Sequence, residues 1–402
     1  MPFSSWRSSG VSPHAGRLPQ RPGARDMPPS IWINTGELSG DMHGAALLEA
    51  LRALAPDLSC TGMGGPYLRA AGQQAMLRVE DLSVMGITEV IAYLPRIFSM
   101  LRDIRAELAR TRPDAVVLID APEFNFRVAK AATDLGIPVY YYISPKIWAW
   151  RTGRVQFIKR HVRRMLSILP FEVDFYRRHG MEVDYVGNPL VDMVDWPALA
   201  AIAPVEGRIG LMPGSRRKEV ESLMPAFGDA ARLMLEHRPG LDFHCMRAPS
   251  TTEAALRALW PQDIPLHIVA PEDRYHAVRS CQMLIAASGT ATLETALIGT
   301  PTLVTYKVSP FSYWLGRKLV KVRFAALPNL VLDREVFPEL LQEKATGPVI
   351  AQHAAAWLDA PEALAAVRSE LDVLRTMLGE PGAAGRAARI IIDDLTGRKQ
   401  QD

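Results

Sequence analysis

The sequence predicts an α/β protein of two Rossmann-like domains facing across a cleft. Three observations predict it. The chain has 402 residues, enough for two cores of about 150–200 residues each. Short apolar runs alternate with helical stretches in both halves, the pattern of parallel strands covered on both faces. Glycine-containing loops stand where strands feed helices, the place where open α/β sheets bind ligands.

The elements follow in order. Residues 1–29 are rich in Arg, Pro, Ser and Gly and lack the apolar stretch of a secretory signal, so they read as a disordered extension outside the fold, or as sequence upstream of a start at Met27. SIWINT (Ser30 to Thr35) is a strand, GELSGD a loop, and MHGAALLEALRAL a helix with apolar residues at helical spacing. DAVVLID (Asp114 to Asp120) and PVYYYIS (Pro138 to Ser144) are buried strands. The helical FRVAKAATDLG lies between them and is closed by Gly136 and Pro138. RMLSILP and VDYVG complete an N-terminal domain of residues 30–187. At 188–206, GNPLVD gives way to the Ala- and Pro-rich WPALAAIAPVEG, a linker. A C-terminal domain, 207–372, repeats the rhythm. GRIGLMPGSRRKEVESLMPAFGDAARLML is strand, Gly-Ser turn and helix, and MLIAASGTATLETALIGTPTLVTY is strand, Ser-Gly-Thr turn, helix, break and strand. Residues 373–402 hold C-terminal helices and tail, which pack either on the first domain or on a partner chain in a homodimer.

Composition narrows the function classes. Hydrophobic residues make up 48 % and charged residues 22 %, a globular balance. A net charge of +3 argues against a general nucleic-acid binder. Cys60, Cys245 and Cys281 are far apart, which points to a reducing compartment and away from a disulfide framework or zinc ribbon. No apolar run approaches the roughly 18 residues of a membrane span, so any membrane contact is at the surface.

Several segments carry chemistry. In Gly36-Glu37-Leu38-Ser39-Gly40-Asp41, glycines allow close backbone approach to a ligand at a helix N-terminus. Ser39 or Asp41 capping the helix explains the loop equally well. The loop is not G-x-G-x-x-G, which weakens a dehydrogenase reading. Pro213-Gly214-Ser215-Arg216-Arg217-Lys218-Glu219 places Arg216 where it can hold a diphosphate through two hydrogen bonds. Cations there oppose the helix dipole, a conflict that a bound anion removes. Ala287 to Glu294 (ASGTATLE) has the same layout. N–H groups of Gly289 and Thr290 can cap a phosphate, and Glu294 can accept from ribose hydroxyls. The alternative is a capping box from Thr290 to Glu294, off by one in spacing. Neither loop is a Walker A sequence. Asp120 ends a buried strand, where a carboxylate serves as general base or caps the next element, and Glu123 competes with it. Val90, Ile91, Leu94, Ile97 and Phe98 form one apolar helical face near Arg96, Arg102 and Arg105, either a core face or a surface helix reaching lipid headgroups, with Pro95 interrupting the helix. SPKIWAWRTGRVQFIKRHVRR (Ser144 to Arg164) is a basic helix face, or a site for an anionic, partly apolar substrate such as a phosphorylated lipid.

Together the ordered segments TGELSGDMHG, MGITEV, IDAPEFN, YYISPKIWAWR, LPFE, MPGSRRKEV, SGTATLE, KVSPFSYWLGRKLVK and LPNLVLDREVFPELLQE resemble the lipid-A-disaccharide synthase family, over about residues 30–345. The resemblance implies a GT-B fold and an inverting glycosyl transfer. The donor is UDP-2,3-diacylglucosamine and the acceptor 2,3-diacylglucosamine 1-phosphate. The products are lipid A disaccharide 1-phosphate and UDP. It implies no cofactor, no metal and no nucleic-acid partner, and a cytoplasmic location, peripheral on the inner membrane. Carried onto this sequence, Asp120 matches the proposed general base. Ser215, Arg216, Ser288, Gly289, Thr290, Glu294 and Asn329 match the UDP side. Gly36, Glu37, Ser39 and Gly40 match the first-domain cleft loop, and Val90, Ile91, Leu94, Ile97 and Phe98 the membrane- or acyl-chain-facing patch. Two features depart from the family: Asn188 in GNPL, where His is more usual, and the N-terminal extension. Rival readings are a UDP-sugar epimerase or lipid-II glucosaminyltransferase type, a non-catalytic nucleotide-binding or membrane scaffold, and a redox Rossmann enzyme.

Overall fold

The computed structural model describes residues 28–80, 90–308 and 322–397. The chain divides into two compact units. One runs through Pro189 and takes in the segment from Gly382, and the other spans Leu190–Pro381.

Among the described residues the first unit holds seven strands: β1 Ser30–Thr35, β2 Ser59–Gly64, β3 Gln74–Arg78, β4 Ala115–Ile119, β5 Val139–Tyr142, β6 Arg164–Ser167 and β7 Asp184–Tyr185. They pair in parallel in the order β3-β2-β1-β4-β5-β6-β7. Every residue of β4 and β5 is buried, as apolar strands covered on both faces must be. On one face Ile31, Ile33, Val117, Ile119, Tyr140 and Tyr142 pack against Leu47, Leu48 and Leu51 of helix Leu38–Leu54. Ile391 and Ile392 of helix Ala383–Thr396 join the same core. That last helix is also held by polar contacts. Asp394 accepts from Tyr140 Oη at 2.6 Å and from Arg163 Nε and Nη2 at 2.5 and 2.7 Å. The C-terminal helix therefore completes the first unit's core.

The second unit has β8 Val205–Met212, β9 Asp242–Met246, β10 His267–Val269, β11 Cys281–Ala287, β12 Thr302–Tyr306 and β13 Glu339–Leu341, in the order β10-β9-β8-β11-β12-β13. Ile209, Leu211, Met283, Ile285 and Leu303 meet Val220, Leu223, Met224 and Phe227 of helix Arg217–His237. Helix Pro361–Leu378 packs on helix Thr290–Ile298 in this unit. It runs unbroken past residue 372, where the sequence reading placed a boundary, and the chain returns to the first unit at Gly382. The expected linker, 188–206, carries two short helices, Pro189–Met193 and Trp196–Ala200, before β8 opens at Val205. All three cysteines are buried and free.

Both sheets wind outward in two directions from a central pair. After β1 the chain moves toward β2 and β3, then crosses to β4 on the other side. After β8 it moves toward β9 and β10, then crosses to β11. The β1/β4 and β8/β11 pairs are thus topological switch points, where diverging loops leave a crevice beyond the strand ends. The segments after Thr35 and Ile119 emerge at the first of these points, and those after Met212 and Ala287 at the second.

Candidate active site

At the first switch point the loop after β1 is shorter than its sequence suggests. Helix Leu38–Leu54 begins directly after Glu37, so Ser39 and Gly40 lie in its first turn. Neither Ser39 nor Asp41 caps it. Asp41 is buried and accepts from the N–H groups of Gly65 (2.5 Å), Tyr67 (2.8 Å) and Leu68 (3.3 Å), at the start of helix Pro66–Ala70. The glycines serve close packing against the end of β4. A Cβ on Gly36 would stand 2.1 Å from Ala121 Cβ, and one on Gly40 would stand 3.8 Å from Asp120 Cβ. The structure therefore brings Gly36, Gly40 and Asp120 together.

Asp120 and Ala121 both adopt left-handed backbone conformations, with φ of 51° and 44°. Consecutive non-glycine residues persist there only when their surroundings fix them. Two bonds do so: the carbonyl of Asp120 accepts from Tyr141 Oη and from Asn125 Nδ2, each at 2.7 Å. Asn125 is itself held by Asn34, whose Nδ2 donates to Asn125 Oδ1 at 2.7 Å. These contacts leave the carboxylate of Asp120 partly exposed, and among the described residues nothing hydrogen-bonds to it. Glu123 is in the opposite situation. Arg151 and Arg154 both pair with it, Arg154 at 2.8 Å, and the Arg154 hydrogen bond first, then the charges of Arg154, Arg151 and Arg127, hold its carboxyl below the ordinary range. Of the two carboxylates weighed from the sequence, Asp120 is the one without an ion pair among the described residues. Sequence reasoning missed His43. Burial pushes its imidazole pKa down, and the charge of Asp120 partly offsets that. A lone His in an apolar helix gives little signal. The signal available was its spacing of three residues from Gly40, where a Cβ would stand 3.8 Å from Asp120 Cβ.

At the second switch point Pro213 to Arg216 leave β8 and helix Arg217–His237 follows. Gly214 has φ of +105°, and a Cβ there would meet Glu219 Oε2 at 2.6 Å. Glu219 reaches back to accept from Arg216 N (3.4 Å) and Nη1 (2.9 Å), and Arg217 pairs with Glu221 at 2.6 Å. The chain itself thus supplies the negative charge that the sequence reading assigned to a bound anion. The basic first turn alone no longer implies a ligand. Arg216 nevertheless stays 78 % exposed, and Ser215 accepts through its carbonyl from Ser250 Oγ at 2.7 Å. The loop after β11 differs. Gly289 is the N-cap of helix Thr290–Ile298 and no side chain caps it; Thr292 N donates to Gly289 O at 3.2 Å, and the N–H groups that open a helix are donors suited to an anion. The Thr290–Glu294 capping box does not form. Glu294 pairs instead with Arg274 at 3.2 Å and is 15 % exposed. Burial raises its carboxyl pKa and Arg274 opposes the shift.

Asn329 is wholly buried. Its Oδ1 accepts from Val336 N and Phe337 N, and its Nδ2 donates to Phe337 O and Glu339 Oε1. Both lone pairs and both protons of the amide are used within the chain. Its role is to fix Glu339, which in turn accepts from the N–H groups of Ala325 and Ala326, a segment reached also by Ser288 Oγ.

The profile of the family described as lipid-A-disaccharide synthetase matches residues 31–376. The chain is 41 % identical over 380 residues to lipid-A-disaccharide synthase of Myxococcus xanthus, covering 92 % of this chain and 98 % of that one. It is 40 % identical over 383 residues to the enzyme of the same name from Koribacter versatilis, covering 90 % and 97 %. The chain belongs to the lipid-A-disaccharide synthase family. It is a glycosyltransferase of lipid A biosynthesis. Among solved structures it is similar to MurG of Acinetobacter baumannii (TM-score 0.60, 16 % identity, 91 % of this chain and 100 % of that one). It is also similar to UDP-GlcNAc 2-epimerase of Neisseria meningitidis bound to UDP-GlcNAc (TM-score 0.60, 13 % identity, 92 % and 100 %). At such identities these likenesses speak for the fold, the two-unit α/β architecture of GT-B glycosyltransferases.

Helix Val90–Thr111 continues through Pro95, which does not interrupt it. The side chains of Val90, Ile91 and Leu94 lie outside the described residues. Ile97 is half-buried and Phe98 is 59 % exposed. Met100, Ile104 and Leu108, on the same face as Ile97, are buried. Asn188 is buried, and its Nδ2 donates to Ile168 O at 3.1 Å. Among the described residues one group has metal-ligand chemistry, Asp242, His244 and His267. It lies toward the N-terminal ends of β9 and β10, at the other end of the sheet from the loops that follow the strands, with Arg208 Nε of β8 3.7 Å from Asp242. No helix of the described residues is long and apolar enough to cross a membrane.

Proposed function

We propose that the chain joins UDP-2,3-diacylglucosamine to 2,3-diacylglucosamine 1-phosphate with inversion, giving lipid A disaccharide 1-phosphate and UDP. The observation that carries this reading is the Asp120 carboxylate. Its backbone is locked at the β1/β4 switch point, and among the described residues no hydrogen bond reaches it. Asp120 removes the proton of the acceptor's primary hydroxyl as that oxygen attacks the anomeric carbon of the donor. The bond from that carbon to the diphosphate breaks on the opposite face. Arg216, the Ser288 hydroxyl and the N–H groups of Gly289 and Thr290 take the charge that develops on UDP, the stabilisation such departures need, while Ser288 N stays bonded to Thr305 O. Glu294 receives ribose hydroxyls, with Arg274 holding it in place. Ser215 and the Gly36–Gly40 segment shape the two loops through their backbone.

The enzyme works on the cytoplasmic surface of the inner membrane. Exposed Phe98 supports this, as does a cavity of about 390 Å³ between helices Val90–Thr111 and Pro122–Asp134, whose lining includes Arg102, Arg105, Arg127 and Lys130. An apolar anchor beside clustered cations suits anionic headgroups.

The test is turnover by purified protein with both lipid substrates and EDTA, with products read by mass. A disaccharide 1-phosphate plus UDP is expected. UDP binding without any disaccharide would overturn the reading, and epimerised UDP-sugar would replace it with the epimerase alternative.

A further inference from the structure

Beside Asp120 lies a second charged constellation that catalysis does not use. Glu123 is surrounded by three guanidiniums. Arg151 and Arg154 pair with its carboxylate, and Arg127 Nη1 donates to its backbone carbonyl at 3.2 Å. Three positive charges against one negative leave two positive in excess. Aromatic faces hold two of these groups in place. The Arg151 guanidinium lies 3.9 Å over the ring of Trp150, and that of Arg154 lies 5.2 Å from the ring of Phe126. Glu123 is 60 % exposed and Trp150 42 % exposed. Such exposed ion pairs contribute little, so a stronger anion can displace the carboxylate at small cost.

We infer that Arg151 and Arg154, with Trp150 beside them, bind the anomeric phosphomonoester of the acceptor sugar and so set which end of that sugar reaches Asp120. The inference rests on the proposed acceptor. Two features carry it. A phosphomonoester has a charge of roughly −1.5 to −2 near neutral pH, which balances the excess. Glu123 follows Asp120 by three residues, a backbone separation of at most about 11 Å. The primary hydroxyl, carried on C5, and the anomeric carbon flank the ring oxygen of a hexose, so the two stand a few bonds apart on one edge of the ring. A sugar that offers its hydroxyl to Asp120 therefore keeps its phosphate within reach of a cluster that begins three residues on. The exposed indole of Trp150 suits the apolar part of an amphiphilic ligand.

The experiment compares an acceptor bearing the anomeric phosphate with the same diacylglucosamine lacking it. It uses wild type, Arg151→Gln, Arg154→Gln and Glu123→Gln, with melting curves to establish folding. Each Arg variant is expected to reduce the preference for the phosphorylated acceptor by about tenfold to a hundredfold, mainly through KM. Arg151→Lys recovers part of it. Glu123→Gln removes the competing carboxylate and lowers the KM of the phosphorylated acceptor. A preference ratio that the Arg variants leave unmoved overturns the inference. So does an equal loss on both acceptors that tracks lost binding to phosphatidylglycerol vesicles, which would assign the cluster to lipid headgroups. Calorimetric binding of glucosamine 1-phosphate separates this inference from the function it rests on. If wild type makes no disaccharide yet binds this sugar phosphate and the Arg variants do not, the reaction is wrong and the site stands. If wild type and the Arg variants bind it alike, the site is wrong.

Discussion

Replacing Asp120 with Asn separates chemistry from fold, because of how the turn is held. The contacts that fix residue 120 end on its backbone carbonyl, from Tyr141 Oη and Asn125 Nδ2, and not on its carboxylate. Asn keeps them, and like Asp it tolerates the left-handed conformation that φ of 51° demands. Stability should therefore change by less than about 0.5 kcal/mol. Asp120→Ala is a poorer probe. An alanine in this region costs on the order of 1 kcal/mol, which mixes strain with lost catalysis. The Asn variant loses only the proton acceptor. A positioned base contributes about 10²–10⁴ in rate, which is about 2.7–5.4 kcal/mol of barrier at about 1.36 kcal/mol per decade. The assay is steady-state disaccharide formation at saturating donor and acceptor, with UDP affinity and melting temperature measured on the same preparations. A fall in kcat of at least a hundredfold, with UDP affinity and melting unchanged, is expected. If Asp120→Asn turns over within tenfold of wild type, Asp120 is not the base, and His43 becomes the group to test.

Other consequences follow from single contacts. Gly36→Ala places a Cβ 2.1 Å from Ala121 Cβ and should cost about 1–3 kcal/mol. Adding Ala121→Gly removes the opposing atom and restores most of the loss, so additive effects in a thermal-melt double-mutant cycle would refute the contact. Glu172 is wholly buried without a counter-charge, accepting from Ser167 Oγ, Trp148 Nε1 and Leu169 N, and burial raises its pKa to about 7. Its folded pKa lies above its unfolded value of 4.5, so the folded state binds the extra proton between them. Its contribution is full below about pH 4.5 and is lost as pH rises through about 7, in total on the order of 3 kcal/mol. Urea unfolding of wild type and Glu172→Gln across that window should show stabilities that differ by a pH-dependent amount, and parallel curves would exclude the assignment. Asp394→Ala removes the acceptor of Tyr140 and Arg163 and should cost about 2–3 kcal/mol. Hydrogen exchange should then quicken in β5 and helix Ala383–Thr396 while β8 and β11 keep their protection. Equal loss in both units would contradict the division of the chain.

The fold was legible where packing forces a simple pattern. SIWINT, DAVVLID and PVYYYIS are strands buried on both faces, and such strands appear as unbroken apolar runs. In the first unit the strands that escaped notice, SCTGMG and QAMLR, have no such run. In β2 the reason is backbone geometry. Gly62 has φ of +142°, and a Cβ there would meet Ile33 O at 2.0 Å, so the strand depends on a residue that favours no strand by itself. The start of the first long helix was misplaced for a related reason. GELSGD has turn composition, but Asp41 is drawn into the helix by acceptor bonds to Gly65, Tyr67 and Leu68, residues more than twenty positions on. Local composition carries no trace of such a partner. The home of helix Ala383–Thr396 was likewise open until Asp394 found Tyr140 and Arg163.

Motif residues proved harder to assign than motifs, because a conspicuous polar residue can either present chemistry or hold the residue that presents it. Asn329 and Asp120 stand in equally conspicuous segments, LPNL and IDAP. In the structure every hydrogen-bonding position of Asn329 is spent inside the chain, whereas Asp120 receives its support through the backbone and keeps its carboxylate. Asn34 and Asn125 stand to Asp120 as Asn329 stands to Glu339 and the 325–326 backbone. Burial decides between the roles. A buried amide must satisfy its donors and acceptors within the protein or lose about 1–3 kcal/mol for each group left unpaired, so it is used to fix a turn. A carboxylate needed for proton transfer must instead avoid partners that would neutralise it, as Arg151 and Arg154 neutralise Glu123 three residues away. The two carboxylates of the IDAPE segment thus have different fates for one reason: one was supplied with guanidiniums and the other was not.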